Sequence, residues 1–287
     1  MEADLNRLAQ DAKQGSKEAL ETLIGHVQGY VYNLALRMLA VPADAEDATQ
    51  EVLIRLVTHL SEFRGDSAFT TWMYRMATNT LLNISTRDRS RGQMSFEALA
   101  DRLEASLALN EPNPADEVED AALIEEVKRS CTLGMLRCLS PRERMALILA
   151  ELIGLPGDEA AAMIGISPAA YRQSVSRARR ALITFMQDTC GIVNPDNPCR
   201  CHKHVASKQQ TGRLDPNNLQ LGDAHDAASA QAALLAEDRR IDAAQRSMAL
   251  VRAHPQYAAR ADFVALLRPV LSPNDPDEDS FNPEENT

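Results

Sequence analysis

Residues 190–206 read CGIVNPDNPCRCHKHVA, and their side-chain types suit metal or redox chemistry. Three of the chain's five cysteines, Cys190, Cys199 and Cys201, fall within twelve residues, and His202 and His204 follow directly. Thiolates beside an imidazole form a donor set for zinc and other soft metals. Cys199 and Cys201 are two apart, so in extended backbone they point the same way. Asn194-Pro195 and Asn197-Pro198 are turn formers that can fold Cys190 back toward them. Cys190, Cys199, Cys201 and His204 would then complete a tetrahedral zinc site, although the spacing matches no common zinc-finger pattern. A thiol redox switch, tuned by Arg200, Lys203 and the histidines, is a second reading, and plain structural thiols are a third. Cys131 and Cys138 are seven apart on one helical face and read as core cysteines.

A second constellation lies just upstream. In LPGDEAAAMIGISPAAYRQSVSRARRALITFM (155–186), Ala160, Ala161, Met163 and Ile164 mark one helix. Gly165 stands where a tight turn needs a residue without a β-carbon. Ser167 is a natural N-cap and Pro168 suits the first helical position. Tyr171, Val175, Ala178 and Leu182 then form one apolar stripe, leaving Ala169, Arg172, Gln173, Ser176, Arg177 and Arg180 on the opposite face. Small and hydrogen-bonding residues near a helix start can reach base edges, and arginines further along can meet phosphates. The same pattern also serves as an ordinary amphipathic helix with a solvated basic face.

The elements that position these groups are helical. The chain has 287 residues, 45% of them hydrophobic and only 4% aromatic, and Ala and Leu dominate. That composition favours helices over sheets. Residues 4–40 read as helices broken at Gln14-Gly15-Ser16. Residues 43–60 form an amphipathic helix with the stripe Ala45, Ala48, Val52, Leu56 and Leu60, and with Asp47, Gln50, Glu51 and Thr58 on the other side. A loop over 61–69 and a helix over 70–85 follow. NEPNPADEVED, acidic and with two prolines, marks 95–120 as a flexible linker. Helical periodicity resumes over 121–187. Residues 205–223 look irregular, 224–270 hold two or three Ala-rich amphipathic helices, and 271–287 read as a disordered acidic tail. The expected fold is therefore all-α: two small helical domains (1–94 and 121–187) joined by the linker, then a Cys/His module at 188–206 and a helical C-terminal extension.

Net charge is −11, which taken as an average argues against nucleic acid. Its distribution says more, because residues 167–180 carry four arginines and no acid, whereas 272–287 carry six acids and no base. No N-terminal apolar segment and no apolar run of bilayer length is visible, so a cytoplasmic protein is expected. No nucleotide-binding glycine loop, Ser/His/Asp pattern or HExxH motif appears.

Two runs taken together carry a family resemblance. ADAEDATQEVLIRLVTHLSEFRGDSAFTTWMYRMATNTLLN lies before the linker, and the helix-turn-helix lies after it. In that order they resemble regions 2 and 4 of the extracytoplasmic-function group of sigma-70 factors of bacterial RNA polymerase, over roughly residues 5–92 and 121–187. The resemblance implies an alternative sigma factor, without catalysis and with no required cofactor, whose partners are core RNA polymerase and promoter DNA. An anti-sigma factor joins that list. It places core polymerase binding on Asp47, Gln50, Glu51 and Ile54. It places the opened −10 element on Arg64, Ser67, Phe69, Trp72, Arg75 and Asn79, with Arg87, Arg89 and Arg91 along the backbone path. A flipped base needs polar groups for its edge and an apolar wall, and unpaired DNA needs cations. Trp72, among Phe69, Met73 and Met76, also reads as core. The −35 element falls to Ser167, Ala169, Arg172, Gln173, Ser176 and Arg177. Ser174 departs from the family, which often carries a basic residue there. Polymerase core supplies much of the electrostatic attraction for DNA, which reconciles an acidic subunit with promoter binding. The rival readings are a helix-turn-helix regulator that acts without polymerase and, more remotely, a thiol- or metal-dependent enzyme in the C-terminal third.

Overall fold

The computed structural model describes residues 2–89, 94–109, 120–221 and 226–271, with backbone only at 88, 89, 270 and 271. The acidic tail and Arg91 lie outside the described residues, as does the side chain of Arg89. The described elements are helical, as expected.

The N-terminal domain is α1 (Glu2–Lys13), α2 (Lys17–Leu39), α3 (Pro42–Thr58) and α4 (Phe69–Arg89). The break before α2 arises because the Ser16 hydroxyl caps the new helix, accepting from Ala19 N at 3.2 Å. Pro42 at the start of α3 holds Val41 extended. Between α2 and α3, Ala40 takes a left-handed φ of 62° to end α2. α3 buries the anticipated stripe from Ala45 to Leu60.

α2 is the axis of the molecule. Every residue from Val31 to Leu39 is buried, including Asn33 and Arg37. A helix buried all round must be covered all round. α1, α3 and α4 cover part of it, and elements from far along the chain cover the rest: α6 (Ala121–Cys138), α7 (Pro141–Ile148) and α13 (Phe263–Leu271).

Residues 95–120 are not linker throughout. FEALADRLEASLA forms α5 (Phe96–Ala108), capped by Ser95, whose hydroxyl accepts from Ala98 N at 3.1 Å. Its Leu99 is buried, and the Phe96 ring lies 5.1 Å from that of Phe185. The acidic, proline-containing part, 110–119, lies outside the described residues. The second domain continues from α6 and α7 through a π-helical turn at Leu149–Ile153 into α8 (Gly157–Ile164) and α9 (Pro168–Thr189).

The extension supplies α10 (Val205–Gln210), α11 (Ala227–Glu237), α12 (Ala243–Arg252) and α13. α10 falls in the stretch read as irregular. α12 lies on α9, and α13 lies on α2 and α3. Polar groups pin this layer to both domains at once. Asn33 Nδ2 donates to Tyr257 O, and Tyr257 N donates back to Asn33 Oδ1, both at 2.8 Å. Arg37 donates to Pro255 O at 3.0 Å and to His254 O at 3.3 Å. On the second domain, the Glu126 carboxylate accepts from Leu221 N at 2.6 Å and from Gln220 N, and Arg129 donates to Leu221 O. The His254 ring joins the two sides, meeting Thr132 Oγ1 through Nε2 and Tyr257 OH through Nδ1.

Removing a partner from a buried charged hydrogen bond costs about 2–4 kcal/mol. Arg37→Ala is therefore expected to lower unfolding free energy by about that amount in urea titrations, and to speed amide exchange at 254–257. Burial, with Arg37 and Arg129 nearby, lowers the pKa of His254 from 6.5 to about 3. The unfolded chain thus takes up a proton that the folded chain refuses. Stability from this group is full above pH 6.5 and falls as pH drops toward 3, and His254→Gln should flatten that part of the stability–pH profile.

Candidate nucleic-acid interface and thiol cluster

The helix-turn-helix forms as its sequence dictates. Gly165 closes α8 at φ 75°, and the Ser167 hydroxyl caps α9 by accepting from Ala170 N at 3.2 Å, with Pro168 at the first position. Tyr171, Val175, Ala178 and Leu182 are buried, and the Tyr171 hydroxyl donates to Ala146 O at 3.2 Å. That packing leaves Ser167, Ala169, Arg172, Gln173, Ser176, Arg177 and Arg180 exposed on one face. Ser174 turns inward and donates to Ala170 O at 3.0 Å, so the family's basic position is absent from the outward face. Arg177 is held by Glu143 at 2.9 Å. Arg179 and Arg252 converge on the buried carboxylate of Glu151, which ties α9 to α12.

On α4 the structure brings Trp72, Arg75 and Asn79 to one open pocket of about 260 Å3. Arg55 and His59, from the end of α3, complete it with Met76 and Thr80. Arg55 and His59 were not among the residues anticipated here. Their spacing, i and i+4 at the end of α3, was the available signal, but which neighbour they would face depended on how α3 packs on α4. The pocket offers an aromatic ring, two guanidinium groups and an amide, with no carboxylate among its described lining residues. It is chemically suited to an unpaired base and its phosphate. Trp72 serves two purposes: its ring packs 5.7 Å from Phe63 and 5.6 Å from Phe69 while also lining the pocket.

Phe69 departs from expectation. It is fully buried, edge-on to Phe63 at 5.3 Å, and its backbone N donates to Asn6 Oδ1 of α1 at 2.7 Å. It anchors the start of α4 and presents no surface to a ligand. Arg64 and Ser67 are exposed on the preceding loop, as is Arg87 further along α4. On α3, Asp47 is exposed and Gln50, Glu51 and Ile54 are half-exposed, so that face is open. Glu51 pairs with Arg55 at 2.8 Å.

The thiol segment folds differently from the zinc reading. Cys190 and Cys199 face each other across a lone parallel backbone bridge. Cys201 starts a 3-10 turn, Cys201–His204, and sits beside Cys131 of α6. Cys199 Sγ meets His204 Nε2 at 3.2 Å, and His204 Nδ1 meets Ser106 Oγ of α5 at 2.9 Å. Among the described residues no group of three or more His, Cys, Asp or Glu side chains is placed to hold a metal. Cys190, Cys199, Cys201 and His204 therefore do not close into a tetrahedron. Arg200, between Cys199 and Cys201, is extended, and both thiols line the same cavity. Cys138 is core, as anticipated. Cys131 also packs against the core and in addition lines the same cavity as the other three thiols, a meeting of residues 59 or more positions apart in sequence that no local spacing signals.

Comparisons with known proteins place the chain in a family. Residues 23–91 match the family model for sigma-70 region 2, and residues 129–182 match the model for sigma-70 region 4. The chain is 35% identical over 184 residues to the ECF RNA polymerase sigma-E factor of Escherichia coli (strain K12), covering 63% of this chain and 93% of that protein. It is 28% identical over 173 residues to the ECF RNA polymerase sigma factor SigE of Mycolicibacterium smegmatis, covering 60% of this chain and 63% of that one. Among solved structures, CnrH in complex with the cytosolic domain of CnrY is similar at 24% identity and a TM-score of 0.44, covering 64% of this chain and 98% of that one.

The region 2 and region 4 matches, on a helical domain followed by a helix-turn-helix with an open basic face, identify a bacterial transcription initiation factor. The chain belongs to the extracytoplasmic-function group of the sigma-70 family. It is an alternative sigma factor that directs transcription initiation. No helix among the described residues is long and apolar enough to cross a membrane.

Removing a phosphate contact weakens duplex binding evenly across sequences and reduces the salt slope by about 1. Removing a base contact costs about 1–3 kcal/mol at one position. Arg180→Ala is expected to show the first pattern and Arg172→Ala the second, in fluorescence anisotropy on duplex −35 sites over a salt series.

Proposed function

We propose that the α3 face of Asp47, Gln50, Glu51 and Ile54 docks core RNA polymerase. In this reading the pocket of Trp72, Arg75 and Asn79, flanked by Arg64 and Ser67, receives an unpaired base of the −10 element. Ser167, Ala169, Arg172, Gln173, Ser176 and Arg177 meet the −35 duplex, and Gln173 and Ser176 share base reading with Arg172. An anti-sigma factor is a further partner of the kind this family implies. Phe69 is left out of the DNA-contacting set because it is buried.

The pocket that Trp72, Arg75 and Asn79 share carries this reading, and the contact between the two DNA-facing domains bears on when these surfaces act. Thr71, next to Trp72, donates to Glu159 of α8 at 2.8 Å. Arg144 of α7 reaches Met38 O of α2 and Leu139 O at 3.1 Å. The −10 pocket and the helix-turn-helix thus belong to adjoining helices. Elements centred 10 and 35 base pairs upstream lie roughly 85 Å apart on B-DNA at 3.4 Å per pair. Adjoining helices have axes only about 10 Å apart. This packed arrangement cannot engage both elements, so we read it as a resting form. The extension, bonded to Asn33 and Arg37 on one domain and to Glu126 and Arg129 on the other, holds that form closed.

Co-purification with core polymerase, followed by run-off transcription, tests the proposal. The full chain is expected to bind core, and Asp47→Ala with Ile54→Ala to weaken that binding about tenfold or more. A chain ending at Gln187, freed of the clamp, should bind core at least as tightly as the full chain while melting at lower temperature. Failure of both forms to associate with core would end this reading. Tighter core binding by the full chain would remove the clamp from it.

A further inference from the structure

A cavity of about 650 Å3 lies where the first domain, α5, α6 and the thiol segment meet. Its walls are apolar along Leu99 and Leu103 of α5, Val127 and Met135 of α6, and Val41 at the α2–α3 corner. Cys131, Cys190, Cys199 and Cys201 all line it. Burial pushes the Cys131 thiol up to about 12 and the Cys199 thiol up to about 11, and raises Cys201 as well. At neutral pH these groups are protonated, and they behave as soft apolar lining rather than as nucleophiles.

The charge of the cavity is one-sided. Arg102, Arg137, Lys208 and Arg213 line it, and no Asp or Glu is among its described lining residues. The half-buried ammonium of Lys208 donates to a neutral acceptor, Ser130 Oγ. The nearby Glu126 carboxylate is occupied by the Gln220 and Leu221 amides. Arg213 is close enough to lower the Lys208 pKa, after burial itself and against the pull of nearby thiols and Glu126. A partly desolvated cation gains most from an ionised acceptor. Cavities of this size with apolar walls and a few convergent polar groups are typical of small-molecule sites.

We propose that this cavity binds an amphipathic organic anion, with its carboxylate at Lys208 and Arg213 and its aliphatic body along Leu99, Leu103, Val127 and Met135. Because Ala40 and Val41 of the first domain share the wall with α6 of the second, an occupant favours the closed arrangement by mass action. This consequence rests on the resting form argued above, whereas the binding itself does not.

The test uses the full-length protein and three probes with the same alkyl chain: dodecanoate, dodecanol and dodecyltrimethylammonium. Titration calorimetry and thermal melting read the outcome without polymerase, so a failed core-binding experiment leaves this one interpretable. Dodecanoate is expected to bind one to one, about tenfold or more tighter than either control, and to raise the melting temperature. Lys208→Met should weaken it by a similar factor. Gly134 lines the cavity, and a β-carbon added there meets nothing within 4 Å. Gly134→Met should therefore fill the space and abolish binding, with helix propensity improved. If Gly134→Met melts lower than wild type, Lys208→Met carries the test. Equal affinity for dodecanol and dodecanoate, undiminished binding by a well-folded Gly134→Met or by Lys208→Met, or stoichiometric zinc uptake without dodecanoate binding would each overturn the proposal.

Discussion

The fold depends on a charge placed where water cannot reach it. Arg37 sits in the fully buried half of α2, and its guanidinium cannot give up its proton at any physiological pH. Its hydrogen bonds go to neutral oxygens: Asn33 O at 3.0 Å, Asn33 Oδ1 at 3.1 Å, and the carbonyls of His254 and Pro255. Its Nε finds no acceptor among the described residues. Two of these acceptors lie more than two hundred residues away in sequence. One end of the Arg37 guanidinium is met by Asn33 on its own helix, and the other, Nη2, by the carbonyls of the extension. Around this centre, Asn33 exchanges hydrogen bonds with Tyr257, and His254 reaches across to Thr132 of the second domain.

That dependence connects stability to function. A sigma factor must let its two DNA-binding domains separate far enough to span a promoter, yet here they share one core. In the resting form we propose, water takes the place of the carbonyl partners of Arg37 and Asn33 when the extension leaves, at a cost in free energy, so closed and open forms are separated by a finite gap. Such a gap is what a partner, or a ligand at the joint, can bias. The second helix of the helix-turn-helix takes part as well, because Glu151 holds Arg179 of α9 and Arg252 of α12 together, while the face of α9 with Arg172 and Gln173 stays open to solvent.

Local rules made much of this legible. The break at Gln14-Gly15-Ser16, the Val41-Pro42 stop, the Gly165 turn and the Ser167-Pro168 start of α9 each follow from the chemistry of one to three residues, and the structure has each in place. The apolar stripes of α3 and α9 emerged from spacing alone. The site was legible in part: Trp72, Arg75 and Asn79 do share a pocket, since i, i+3, i+7 spacing puts them on one helical face. Arg55 and His59 were missed because they reach that pocket from another helix. Phe69 was misplaced because an aromatic beside a loop looks the same in sequence whether it faces solvent or core. α5 was overlooked because the acidic, proline-containing run beyond it dominated the composition of the whole segment.

The sequence by itself determined the helices, their caps, the helix-turn-helix and the family, because these rest on interactions between residues a few positions apart and on motifs of fixed spacing. Only the tertiary structure decided where the thiols and the extension lie. Cys131 lines one cavity with Cys190, Cys199 and Cys201 because α6 packs on the segment after α9. The extension packs on both domains because groups on α2 and α6, partly met by neighbours one turn away, find further partners at 220–221 and 254–257. Satisfying a buried polar group is a demand that sequence can announce, but its partner is chosen by whichever distant backbone the packing brings within reach.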